Sequence, residues 1–122
     1  MDAKPSPLAL NNLAWLYFQN GDTRAQATAK RAFDGAPDNA AIADTYGWIL
    51  LKNKRVTEAL PVLERAANGS KAPPEIRYHY AAALAEAGQR DRALQIVREV
   101  TASDASFPEA EDAKRLLAEL QG

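Results

Sequence analysis

The chain has 122 residues, a formal net charge of -1, 47% apolar and 25% charged residues, and no cysteine. That is enough for one domain around one continuous core, with the composition of an ordinary soluble globular protein. The near-neutral balance contains no strongly basic stretch, so no nucleic-acid surface is indicated, and the lack of cysteine excludes disulfides and thiolate metal sites.

Met1-Asp2-Ala3-Lys4-Pro5 reads as a loose lead-in, without the charged start and apolar core of a signal peptide, and fits a piece cut from a longer chain. An A-type helix is predicted over Pro7 to Asn20, ended by Gly21, and a B-type helix over Asp22 to Asp34, closed by Gly35-Ala36-Pro37. A second A helix follows over Asn39 to Asn53, with Asn53 or Lys54 making the left-handed turn that Gly21 makes in the first. The longest apolar run, Tyr46 to Leu51, lies here and is far too short to span a bilayer, so no membrane insertion is expected. A second B helix is predicted over Thr57 to Asn68, with Pro61 in its first turn. Gly69-Ser70-Lys71-Ala72-Pro73-Pro74 closes it. The third pair runs over Pro74 to Ala87, ended by Gly88, and Asp91 to Ala102. Ser106-Phe107-Pro108-Glu109 then reads as a capping box opening a one-sided amphipathic helix through Leu120.

The pairs repeat. Ala25, Ala59 and Ala93 are spaced by 34 residues, and so are Ala32, Ala66 and Val100. Ala14, Gly47 and Ala81 step by 33 and then 34, as do Tyr17, Leu50 and Leu84, so one residue is missing after Gly21. Small residues at 14, 47 and 81 should face small residues at 25, 59 and 93, letting the paired helices approach to about 8–10 Å. Leu13, Tyr17, Leu50, Leu63, Leu84, Leu94 and Val97 should fill the space between repeats.

These columns, the glycine after the A helix and the proline after the B helix resemble the tetratricopeptide repeat. Leu10, Leu13-Ala14, Tyr17, Ala25, Ala32 and Pro37 follow that family's pattern, while Ala29 replaces its aromatic and Lys54 its turn glycine. The resemblance implies an all-α, right-handed solenoid of three repeats with a C-terminal capping helix, seven helices in all. Its divisions are a lead-in at 1–6, repeats at 7–37, 38–73 and 74–105, and a cap at 106–122. The cap implies a finished C-terminal end. No matching cap covers the first helix, so either more repeats precede Pro7 or that helix packs on a partner, including a second copy. Asn11-Asn12-Leu13-Ala14-Trp15-Leu16-Tyr17, Ala36-Pro37-Asp38-Asn39 and Tyr46-Gly47-Trp48-Ile49-Leu50-Leu51 also resemble the C-terminal repeats of bacterial tetratricopeptide lipoproteins that accompany exosortase and exopolysaccharide systems. That narrower likeness implies an envelope scaffold, exported as a lipoprotein to the periplasm or the inner face of the outer membrane; without it a cytoplasmic protein is expected.

In such a stack the A helices line the concave side. By register the groove positions are Asn11, Trp15, Phe18 and Gln19, then Asp44, Trp48, Leu51 and Lys52, then Tyr78, His79, Ala82 and Glu86. Trp15 and Trp48 share one repeat position and either meet a ligand or pack between A helices. His79 is the only histidine; it shares a helical face with Glu75 and is expected to be a partly exposed groove residue, not a catalytic base or metal ligand. No serine is flanked by a base, and nothing is placed to hold a cofactor or metal. The expected function is therefore non-enzymatic: capture of a peptide or protein in the groove. The alternative is a structural segment of a longer solenoid that packs within its own chain or self-associates through the first helix.

Overall fold

The computed structural model describes residues 5–68, 72–102 and 107–122. Seven helices follow in order: α1 (Pro7–Gln19), α2 (Ala25–Gly35), α3 (Ala40–Lys52), α4 (Val56–Ala67), α5 (Pro74–Glu86), α6 (Arg90–Ala102) and α7 (Ala110–Gln121). The odd-numbered helices α1, α3 and α5 are the A helices, and α2, α4 and α6 the B helices.

Local chemistry sets the helix ends. Ser6 Oγ accepts the Ala9 amide at 3.1 Å ahead of α1, and Asn39 Oδ1 accepts the Ile42 amide at 3.1 Å ahead of α3. Pro7 and Pro74 occupy first-turn positions, where no amide hydrogen is needed. All three A helices end alike. The amides of Asp22, Arg55 and Gln89 donate to the carbonyls of Tyr17, Leu50 and Leu84 at 2.8, 2.9 and 2.9 Å. The residue between is left-handed each time: Gly21 at φ 68°, Lys54 at φ 68° and Gly88 at φ 83°. Lys54 thus makes the turn expected of Asn53 or Lys54.

The missing residue after Gly21 has a structural consequence. Helices α4 and α6 each begin three residues before their column alanine, Ala59 or Ala93, whereas α2 begins at its column alanine, Ala25. The first turn expected from Asp22 is absent. Instead Asp22 Oδ1 accepts the Arg24 amide at 2.9 Å, a local bond that competes with helix. Pro61 also differs from expectation. Because α4 starts at Val56, Pro61 sits in its second turn, where it removes one helical hydrogen bond. The capping box expected before α7 lies partly outside the described residues. Ser106 lies outside the described residues, and Glu109 points its carboxylate at His79 instead of at backbone.

Each repeat packs its A helix on its B helix through the small-residue columns. Ala14, Gly47 and Ala81 are fully buried at one end of the contact. The partner is less the facing alanine than the residue one turn on. A Cβ added to Gly47 would lie 2.5 Å from Leu63 Cγ and 3.3 Å from the Leu63 amide nitrogen. In register, Leu63 corresponds to Ala29 and Val97. In register the pairs are alanine with Ala29, glycine with Leu63 and alanine with Val97, so the glycine stands opposite the largest of the three. Leu50, Leu63, Leu84 and Val97 are fully buried as expected, Tyr17 and Leu94 half-buried, but Leu13 is 38% exposed. Its register partners Tyr46 and Tyr80 are covered by the preceding repeat, through Phe33 at 5.4 Å between ring centroids and through Glu64 at 2.9 Å. Among the described residues Leu13 has no such neighbour.

Between repeats the A helices touch one another in the order α1, α3, α5 and then α7. Among the described residues α2 and α4 do not meet, nor do α4 and α6. A stack whose A helices are in contact while its B helices splay must curve with the A helices inside. Helix α7 extends that inner wall.

Replacing Gly47 by Ala should lower stability by about 1–3 kcal/mol through overpacking against Leu63, despite a helix-propensity gain of about 1 kcal/mol. Adding Leu63→Val recreates the alanine–valine pair of the third repeat and should recover most of the loss. Urea denaturation of the two variants checks this; a Gly47→Ala protein as stable as the parent contradicts the packing account.

Candidate functional site: the groove on the A helices

The centre of the inner wall is a stack of side chains from α3 and α5. The Trp48 ring lies on the His79 ring at 3.9 Å between centroids and 21° between planes, with Tyr78 at 6.0 Å from Trp48. Lys52 holds its ammonium 4.3 Å from the Trp48 ring, one helical turn along α3. Trp48 is thus buried and engaged by its own chain, with 6% of its surface exposed.

His79 is not the partly exposed residue its position suggests. It is 1% exposed. Its Nδ1 lies 2.6 Å from Asp44 Oδ1 on α3, and its Nε2 lies 2.5 Å from Glu109 Oε1 just ahead of α7. Glu75, the neighbour seen in the sequence, is not its hydrogen-bond partner. With a carboxylate on each ring nitrogen, both nitrogens donate and the ring carries a proton on each. Burial alone would depress the His79 pKa, but the hydrogen bonds to Asp44 and Glu109 outweigh it and raise the pKa to about 9. Burial pushes the Asp44 carboxyl up from its ordinary value, and the bond from His79 opposes it. We assign the proton to the ring, because the ring has two carboxylate acceptors and Asp44 has the imidazolium as its donor. The arrangement ties α3, α5 and the start of α7 together through one buried charge.

This stack divides the groove. On one side is a cavity of about 360 Å³ bordered by Asn11, Asn12 and Trp15 of α1, Asp44 and Thr45 of α3, and Glu75 and His79 of α5. On the other is a broader cavity of about 720 Å³ between α3, α5 and α7. Trp48, Leu51, Lys52, Tyr78, Ala82 and Glu86 border it from the positions foreseen by register. Asp112, Arg115, Leu116 and Glu119 border it from α7 and were not foreseen. The sequence puts Asp112 and Arg115 on the wet side of the last helix but carries no sign that this side faces the groove.

The twelve register positions therefore separate by exposure. Trp15 is 38% exposed, and Gln19, Lys52 and Glu86 are exposed. Asn11, Phe18 and Ala82 are half-buried, and Phe18 packs on the Trp15 ring at 5.5 Å. Asp44, Trp48, Leu51, Tyr78 and His79 are buried in the floor. Phe18 and Gln19 border neither cavity. Among the described residues no cluster of three His, Asp or Glu side chains is arranged to hold a metal ion, and no helix is long and apolar enough to cross a membrane.

The geometry defines a class: a helical-repeat stack with a continuous inner groove. The tetratricopeptide-repeat family model matches residues 50–120, more than half of the chain, and the chain belongs to that family. Such stacks are protein-interaction scaffolds. Two solved structures share the fold. A structure titled MamA RS-1 ArsTM double mutant superposes with a TM-score of 0.80 at 22% identity, over 98% of this chain and 66% of that one. This chain thus spans just under two thirds of that protein's length. The solution structure of the first tetratricopeptide domain of human RPAP3 superposes with a TM-score of 0.77 at 16% identity, over 94% of this chain and 91% of that one. No curated protein sequence matches the chain.

Because the folded pKa of His79 stands above its ordinary 6.5, its contribution to stability is fully present below pH 6.5 and is lost as pH rises through about 9. At about 1.4 kcal/mol per unit, the loss should be on the order of 3–4 kcal/mol. Denaturant midpoints measured across this range should fall with pH in the parent and stay level in His79→Gln. The His79 ring protons should titrate near 9 by NMR, and a midpoint near 6.5 would rule out the doubly bonded imidazolium.

Proposed function

We propose that the protein captures an extended peptide or amphipathic segment of a partner protein along the inner face of α1, α3, α5 and α7. The observation that carries this reading is the pair of cavities on that face, one on each side of the Trp48–His79 stack. A rigid, largely preformed groove with aromatic surface binds such segments at low ordering cost. Trp15 is the accessible aromatic anchor; Trp48 shapes the floor. No catalytic step is part of this reading. The resemblance of the three strings to repeats of exopolysaccharide-associated bacterial lipoproteins supports, as a finer reading, an assembly role at a bacterial envelope.

Peptides selected from a random displayed library should perturb backbone amides of the A helices and α7 in NMR spectra of the protein, leaving α2, α4 and α6 largely unchanged. Trp15→Ala should weaken them about tenfold or more, which corresponds to about 1.4 kcal/mol, with the circular dichroism spectrum preserved. Perturbations confined to the B helices would refute the groove reading.

A second reading rests on α1. Leu8, Leu13 and Leu16 are 61%, 38% and 54% exposed, while the register equivalents of Leu13 and Leu16 in α3 and α5 are buried under a preceding B helix. This outer face of α1 suits another repeat helix or a second copy of the chain. Sizing over a wide concentration range should then show reversible dimers that Leu13→Gln with Leu16→Gln abolishes. A monomer at all concentrations leaves self-association without support.

A further inference from the structure

The two halves of the groove differ in one respect. In the middle repeat the chain supplies its own cation to the groove tryptophan: Lys52 sits 4.3 Å from the Trp48 ring. The first-repeat residue in register with Lys52 is Gln19, and among the described residues no cation lies over Trp15. The Trp15 ring has Phe18 as its one aromatic neighbour and is 38% exposed.

The cavity beside Trp15 is also short of positive charge and of donors. Among the described residues no lysine or arginine borders it. The one cation there, the His79 imidazolium, is already shared between Asp44 and Glu109. Glu75 makes no hydrogen bond or ion pair among the described residues, and burial raises its carboxyl above the ordinary range. Asn11 borders the same cavity, and its Oδ1 is buried. That oxygen is the single buried side-chain polar atom among the described residues left without a hydrogen-bond partner. An uncompensated carboxylate, an unfilled acceptor and a bare indole converge on a space of about 360 Å³.

We propose that this cavity receives a lysine or arginine side chain of the bound peptide, with its cationic head between Glu75 and Asn11 Oδ1 and its stem along Trp15. The proposal rests on the groove reading above and narrows it to a partner segment with a basic anchor. A long basic side chain answers all three deficits at once. Its N–H groups donate to Asn11 Oδ1, its charge pairs with Glu75, and its apolar stem covers the exposed face of Trp15. An acidic segment would set a second carboxylate against Glu75 and Asp44. An apolar one would leave Asn11 Oδ1 unsatisfied.

The test uses the full chain and a displayed library of random linear peptides. Peptides whose binding is lost in Trp15→Ala should carry a lysine or arginine at one fixed place. Changing that peptide residue to alanine should weaken binding at least tenfold by titration calorimetry. Glu75→Gln, which keeps shape and removes charge, should weaken the basic peptide about tenfold and leave the alanine version unchanged. Glu86→Gln, in the other half of the groove, should affect the two peptides equally. Groove-bound peptides without a basic residue, or a Glu75→Gln effect that ignores it, would overturn the basic anchor while leaving the groove reading intact. Peptides bound outside the groove would overturn both. Free arginine amide binding as tightly as the peptide would remove a peptide as the occupant.

Discussion

The contact on which the molecule depends is the close approach of each A helix to its own B helix. It needs little side-chain volume at one point on each pair, and the chain meets that need differently in each repeat. Where Leu63 projects from α4, the facing position is Gly47; where Ala29 or Val97 projects, the facing position is alanine. The glycine stands opposite the largest of the three B-helix side chains because close-packed interiors do not tolerate a clash. The left-handed residue after each A helix follows from the same demand. A tight turn returns the chain early enough for the B helix to lie antiparallel at short range.

Stacking then builds the inner wall. Because the A helices meet and the B helices do not, side chains of α1, α3, α5 and α7 converge while those of the outer layer diverge. Convergence turns single residues from different repeats into a site. His79 gains Asp44 from the repeat before and Glu109 from the approach to the cap, and the ring fills the space beneath Trp48. Removing water from this cluster makes its hydrogen bonds obligatory, since a buried ion without partners is unstable. One buried imidazolium thereby couples the last two repeats to the capping helix and forms the partition between the two halves of the groove.

The outer ends of the stack show the same principle through its absence. Tyr46 and Tyr80 are covered because a B helix precedes them, Phe33 on one and Glu64 on the other. Leu13 and Leu16 are of the same apolar character and remain exposed because α1 has no described helix on that side. Burial in a repeat protein is a property of neighbouring pairs, so equivalent residues differ in exposure according to what stands beside them.

The period, the A and B helices, the three turn residues and the groove register of Trp15 and Trp48 are all legible in the amino-acid order. They depend on contacts between residues near in sequence or repeated at a fixed interval, and local propensity with spacing reports them. The shortened start of α2 is legible in hindsight, as the residue missing between Gly21 and Ala25. The state of His79 is not. Its partners lie 35 and 30 residues away, Asp44 is off the repeat column that contains His79, and Glu109 belongs to a segment outside the repeats. The groove-facing side of α7 is hidden for the same reason: amphipathicity shows which side of a helix is wet, and only packing decides which wet side lines a cavity. Sequence determined the repeating unit, because that unit is made of local interactions. Tertiary structure decided which polar groups share a buried charge and which are left open to a ligand, because those depend on the summed curvature of the stack.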